Sequence, residues 1–332
     1  MKPDAVGRSA NERGRAAFLW ACRLDVEVRK PGNVSVASAG HRMDAPMFIA
    51  SAEAAQRALF EPGLAVGRRI EAAVAATREV ARCNTNLGIL LLCAPIAVAL
   101  EREPQARSAA LLQAAVSAVL QTLSVGDAAA AYRAIAVANP GGLGRADEQD
   151  VAQAPSIDLR SAMALAAHRD SIARQYAERC ADLFDTGLPA FLAADTATAA
   201  VQRTYLSFLA HWPDSHIVRK LGEPTAHSVM RQARDWLARA RQGEALNDCE
   251  AFTAWDTELK TRGINPGTSA DLTVASAMLA AIVEPQWLAS TSRGTERDNP
   301  AIGASVRTPF PNRSSTLNGD PTHGKNRPNA SR

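Results

Sequence analysis

Aromatic residues make up only 5% of the 332-residue chain, and alternating Val/Ile/Thr-rich runs are scarce. Alongside 68 alanines, that scarcity argues against a β-sandwich or barrel. Alanine is the strongest helix former, and strands draw on β-branched and aromatic side chains. Net charge is small: 37 Lys+Arg against 34 Asp+Glu leave +3. So weak a field argues against a nucleic-acid partner. Five cysteines (Cys22, Cys83, Cys93, Cys180, Cys249) are odd in number and form no C-x-x-C pair, which argues against a disulfide framework or structural zinc site. The first dozen residues have no signal-peptide apolar core. The longest apolar run, Leu87 to Leu100, is 14 residues long and interrupted by Gly88 and Pro95. It is too short for a membrane span and reads as a buried helix. The expectation is a reducing cytoplasm, with no membrane and no nucleic acid.

Motifs of several common enzyme classes are missing too. There is no G-x-x-x-x-G-K-[ST] phosphate loop, no G-x-S-x-G and no H-E-x-x-H. The glycines at 141–144 lack both the order and the preceding strand of a dinucleotide fingerprint.

What is present is helical periodicity. Apolar spacing predicts helices over Ala16–Arg29, Phe48–Phe60, Leu64–Arg82, Leu87–Glu101, Ala106–Leu123 and Ala128–Val137. They resume over Asp158–Asp185, Leu192–Trp212, Thr225–Arg241, Cys249–Thr261 and Ser269–Ile282. The fold class read from this is all-α. A flexible N-terminus (1–13) precedes one large multi-helix domain (14–288), with two helical halves meeting near Asn139–Pro155 as the alternative. The tail, 289–332, is rich in Ser, Thr, Pro, Asn and Arg and is expected to be disordered. Residues 291–332 carry about +4 and the rest about −1, so the basic character belongs to the tail.

The loops are the unusual part. Lys30–Asp44, Asn84–Gly88, Asn139–Val151 and Asn265–Leu272 each combine Gly with Asn, Ser or Thr donors or a charge. On a rigid helical scaffold such loops suit a nucleotide or other polyanion, although any one of them alone also reads as a plain helix cap. Pro213–Gly222 gathers Asp214, His216, Arg219 and Lys220. Asp170 reads as mid-helix, where Arg174 at i+4 offers a solvated ion pair and an inward-facing carboxylate is the competing reading. Asp271 fits the first turn of a helix.

The loops and their order resemble the triphosphoribosyl-dephospho-CoA synthase family. The resemblance rests on Lys30-Pro31-Gly32, Gly40-His41 with Met43, Phe48 and Ser51. It continues through Asn84-Thr85 with Gly88, Asp214, and Asn265-Pro266-Gly267 followed by Ser269-Ala270-Asp271-Leu272. It runs over about residues 16–285. The stretches Asn84–Pro95, Tyr132–Val151, Arg169–Tyr176 and Asn265–Thr273 look most like a divergent branch in methanogenic archaea and bacteria that oxidise one-carbon compounds. Where members that serve citrate and malonate enzymes usually read Asn-Thr-His-Lys-Gly, this chain has Asn84-Thr85-Asn86-Leu87-Gly88. Where they read Asp-Thr-Asn, it has Asp214-Ser215-His216.

The resemblance implies a transferase that joins ATP to 3′-dephospho-CoA and releases adenine, with ATP as substrate and Mg²⁺ as cofactor. It places Lys30, Gly32, Asn84, Thr85, Asn86, Gly88, Arg219, Asn265, Gly267 and Ser269 in the nucleotide site. Asp170, Asp214 and His41 are its catalytic candidates; Asp150, Asp170 and Asp271 are its metal candidates. A second reading keeps the nucleotide chemistry but takes an acceptor from tetrahydromethanopterin- or methanofuran-linked metabolism. A third is a non-catalytic helical binding protein. Partners would be small molecules, and a homodimer stays open.

Overall fold

The first helix begins earlier than the apolar spacing suggests. In the computed structural model, which describes residues 10–38, 43–146 and 148–289, α1 runs Ala10–Glu27. Residues 10–13 therefore belong to a helix rather than to a flexible terminus. Arg13 donates to the Pro104 carbonyl at 2.7 Å, tying the helix start to a distant loop. The expected tail beyond 289 and His41 lie outside the described residues.

Thirteen further α-helices follow: α2 (Ala45–Leu59), α3 (Val66–Ala81), α4 (Leu87–Arg102), α5 (Ala109–Gln121), α6 (Val125–Ala138), α7 (Leu159–Ala166), α8 (Ser171–Ala177), α9 (Leu188–Leu192), α10 (Ala197–His211), α11 (Ser215–Leu221), α12 (Glu223–Arg241), α13 (Glu250–Thr261) and α14 (Gly267–Val283). There is no strand among the described residues, so the fold is all-α. The described residues fall within one compact unit. None of its single helices is long and apolar enough to cross a membrane.

Two helices form the axis of the core. All residues of α4 from Ile89 to Leu100, and of α14 from Leu272 to Ile282, are buried. A helix apolar on every face must be surrounded. Here α1, α2, α3 and α5 pack on α4, and α1, α10 and α9 pack on α14. A smaller apolar cluster joins α10, α12 and α13 through Tyr205, Leu209, Val229, Phe252, Trp255 and Leu259.

Pro95 inside α4 removes the N–H that would bond the Leu91 carbonyl. That carbonyl accepts instead from the Tyr176 hydroxyl at 2.7 Å. The breaker is thus tolerated because a buried side chain from α8 supplies the missing donor.

The long helix expected over Asp158–Asp185 is broken. Its pieces are α7, α8 and a π-turn at Leu183–Gly187 that leads into α9. Asp170 caps α8, accepting from the Ile172 and Ala173 amides at 2.9 and 3.0 Å. Arg179 and Cys180 then take left-handed φ values of 57° and 59°. Local capping chemistry overrides the apolar period here.

Candidate active site

The unusual loops come together. The turn at 30–33 lies on the turn at 264–266: a Cβ on Gly32 (φ +83°) would sit 2.8 Å from the Ile264 carbonyl, and Asn33 Nδ2 donates to Asn265 Oδ1 at 3.0 Å. The loop after Asn139 rests on α11, with Gly142 against the Arg219 carbonyl and Gly141 against the Lys220 side chain.

Asp214 joins two helix starts. One oxygen accepts from the His216 and Ile217 amides at 2.9 and 3.2 Å, capping α11. The other accepts from the Ser269 amide and hydroxyl at 2.7 and 2.8 Å, holding the first turn of α14. The side chain is buried. Burial pushes its carboxyl up, and the Ser269 and Ile217 hydrogen bonds pull against that. With four donors on two oxygens, Asp214 is a structural clamp. His216 lies over Gly267, where a Cβ would meet Nδ1 at 3.1 Å.

Asp170 is not paired with Arg174. Its second oxygen accepts from Arg219 Nη1 at 2.6 Å, which ties α8 to α11. The Ser171 amide, donating to Ser215 Oγ at 2.9 Å, closes the same junction. Arg174 instead meets Asp182 at 2.6 Å and covers the Trp212 ring at 4.5 Å.

Asp271 differs from both. It stands half-buried in the first turn of α14, with its carboxylate on the Cα of Gly88 at the start of α4. A Cβ there would fall 2.0 Å from Oδ2, so only glycine leaves room. Among the described residues no donor hydrogen-bonds to Asp271 and no cation pairs with it. Burial pushes its carboxyl well above the usual carboxylate range, Asp25, Asp214 and Asp170 push the same way, and Arg219 opposes them. The result is an acid with no hydrogen-bond donor among the described residues and several other acids acting on it, against which Arg219 is the opposing charge.

The remaining expected residues sit as follows. Lys30 is fully buried; its ammonium lies 3.0 Å from Asp25 Oδ1 and also donates to the Asp25 carbonyl. Asn84 Oδ1 caps α4 by accepting from the Leu87 amide at 3.1 Å. Thr85 donates to Ser51 Oγ at 2.7 Å. Asn86 is buried and its Nδ2 meets no acceptor among the described residues. Beside it is a cavity of about 10 Å³, room for one water. Asp150 lies apart from Asp271 electrostatically: it accepts from the Ala146 and Ala152 amides at 2.7 and 2.8 Å, which hold its carboxyl low.

Two acids that the sequence reading passes over matter here. Asp25 neutralises Lys30 beneath the site. Asp256 accepts from the Gly32 amide at 2.8 Å and from Lys260 Nζ at 2.9 Å, and Tyr205 donates to the Pro31 carbonyl at 2.6 Å. Both acids sit on apolar stripes, Asp25 among Phe18, Cys22 and Leu24, Asp256 among Phe252, Trp255 and Leu259. A charge on a core stripe was the available signal.

A sequence model of the ATP:dephospho-CoA triphosphoribosyl transferase family, CitG, matches residues 11–290. The chain belongs to that family. It is therefore a transferase of the triphosphoribosyl-dephospho-CoA synthase kind, and ATP as a substrate is consistent with the family. A solved structure from Archaeoglobus fulgidus, described as a triphosphoribosyl-dephospho-CoA synthase, is 24% identical with a TM-score of 0.57. It covers 71% of this chain and 99% of its own, and at that identity it supports the fold. No curated protein sequence matches the chain. Within this triphosphoribosyl transferase, no three His, Cys, Asp or Glu side chains among the described residues form a group able to hold a metal ion.

Proposed function

We propose that this chain moves the triphosphoribosyl group of ATP onto the 2′-hydroxyl of 3′-dephospho-CoA. The acceptor oxygen bonds to C1 of the ATP ribose as the bond from C1 to adenine breaks. The hydroxyl proton passes to a base, and adenine leaves after taking a proton on its ring. Both proton transfers need a group of matched affinity, and the oxocarbenium-like transition state gains from nearby negative charge.

The observation that carries this reading is Asp271: half-buried, unpaired among the described residues, and raised in proton affinity. It serves as the base for the acceptor hydroxyl. The other carboxylates around it hold negative charge near the developing cation. Arg219 contacts phosphate from the far side of Asp170. Asp214 and Asp170 position the helix starts.

Mg²⁺ would be held chiefly by the triphosphate and water, which supply most of this ion's ligands, because both Asp170 oxygens are taken by the Ile172 and Ala173 amides and by Arg219. When bound, it would neutralise charge on the triphosphate.

A second reading keeps the nucleotide and changes the acceptor to a one-carbon cofactor precursor. What favours it is Leu87, whose side chain is buried in the core where members that serve citrate and malonate enzymes usually carry a lysine, so the polyphosphate surroundings differ. Purified protein is to be mixed with ATP, Mg²⁺ and dephospho-CoA and free adenine quantified by chromatography. Adenine released only in the complete mixture supports the first reading. ATP binding without adenine release moves the search to other acceptors.

A further inference from the structure

One roomy depression on the described surface does not include Asp271 in its lining. It lies between the end of α10 and the outer face of α12, encloses about 280 Å³, and is lined by Ala210, His211, Arg234, Leu237, Ala238 and Arg241. We propose that this groove binds a phosphate group.

Arg234, Ala238 and Arg241 stand at i, i+4 and i+7, so they share one face of α12. Alanine between two arginines keeps the space between their arms open. Arg239, on a neighbouring face of the same helix, is committed to Glu244 and to the Trp236 ring. By contrast, no carboxylate among the described residues pairs with Arg234 or Arg241.

Arg234 is also held in place. Its Nε donates to the Ala210 carbonyl at 3.1 Å, which fixes the guanidinium and occupies a carbonyl that would otherwise repel an anion at the end of α10. His211 Nδ1 donates to the Ser207 carbonyl at 2.6 Å, because a carbonyl can only accept. That leaves Nε2 facing the groove, where the neutral ring accepts from a protonated phosphate oxygen and the imidazolium donates to an ionised one. Two guanidinium groups and an imidazole around a space this size suit a phosphate, which guanidinium groups bind bidentately.

The groove is close to the proposed site along the chain. His211 is three residues from Asp214, so their Cα atoms are at most about 11 Å apart. The phosphate could therefore belong to the acceptor or to a separate effector.

The test of the site itself does not depend on the proposed reaction. Inorganic phosphate is titrated calorimetrically into the full chain, into Arg241→Gln and into Ala238→Trp, which fills the groove while keeping both arginines. Binding is expected in the parent and to weaken about tenfold or more in each variant, as loss of a charge-assisted hydrogen bond implies. No binding in the parent, or equal binding in all three folded proteins, would overturn the proposal. Two further arms identify the source. If the phosphate is the acceptor's, dephospho-CoA displaces inorganic phosphate, and Ala238→Trp raises KM for dephospho-CoA but not for ATP. If it is an effector's, dephospho-CoA does not compete, and phosphate alters the parent's rate but not that of Ala238→Trp.

Discussion

Removing the Tyr176 hydroxyl should expose what Pro95 costs α4. Tyr176 is buried and its hydroxyl is a donor to the Leu91 carbonyl. In an ordinary helix that carbonyl would accept from residue 95, but Pro95 has no N–H. Tyr176→Phe therefore leaves a buried carbonyl without that donor, at about 1–3 kcal/mol. For a domain of this size each kcal/mol corresponds to about 2–4 °C in Tm. Pro95→Ala restores the backbone donor and should rescue part of the loss. It also removes buried ring atoms, so the informative quantity is the coupling in the double-mutant cycle, expected at about 1 kcal/mol. Urea unfolding of the four proteins, followed by circular dichroism, measures it. If the two substitutions add to within about 0.5 kcal/mol, the compensation argument is wrong.

Other expectations concern the site. Asp271→Asn should cut adenine release by about 100-fold or more and yet raise Tm at neutral pH. A carboxyl with raised native proton affinity favours the folded state at low pH, and that contribution is lost as pH rises past the usual range near about 4. The stability gain should therefore vanish in acid; destabilisation at pH 7 would contradict the reading. Gly88→Ala drives a methyl onto Asp271 Oδ2 and should cost about 1–3 kcal/mol along with activity, and an unchanged Tm would argue against the close approach. Lys30→Met leaves Asp25 buried without its partner and should destabilise by about 3–5 kcal/mol, with Asp25→Leu restoring much of it. A Lys30→Met protein with normal Tm and a raised KM for ATP would show that Lys30 reaches substrate instead.

Most helices were legible because their apolar spacing matches burial, and α4 because its unbroken apolar run demands burial on every face. Legibility failed where polar side chains, not apolar ones, decide the backbone. Asp170 turns an apparently continuous helix into a capped junction, and its partner Arg219 is 49 positions away, beyond any local pattern. The loops themselves stood out through composition. Sequence alone could not tell a clamp from an unpartnered acid: Asp214 and Asp271 both stand at the start of a helix. Only the count of donors around each distinguishes them. Lys30 shows the same limit, since its charge suggested phosphate and its surroundings supply Asp25.

The site takes residues from both ends of the described chain, because α1 packs on α14. During synthesis the two are made far apart in time. At about 5–20 residues per second, Gly267 follows Asp25 by roughly 10–50 s. Over that interval the face of α1 that α14 will cover has no final partner. The Asp25–Lys30 pair can form as soon as the helix does, since it spans five positions, and it cancels charge on that face. Asp271 arrives last, so a nascent chain halted before α14 would carry the scaffold without the acid that faces Gly88.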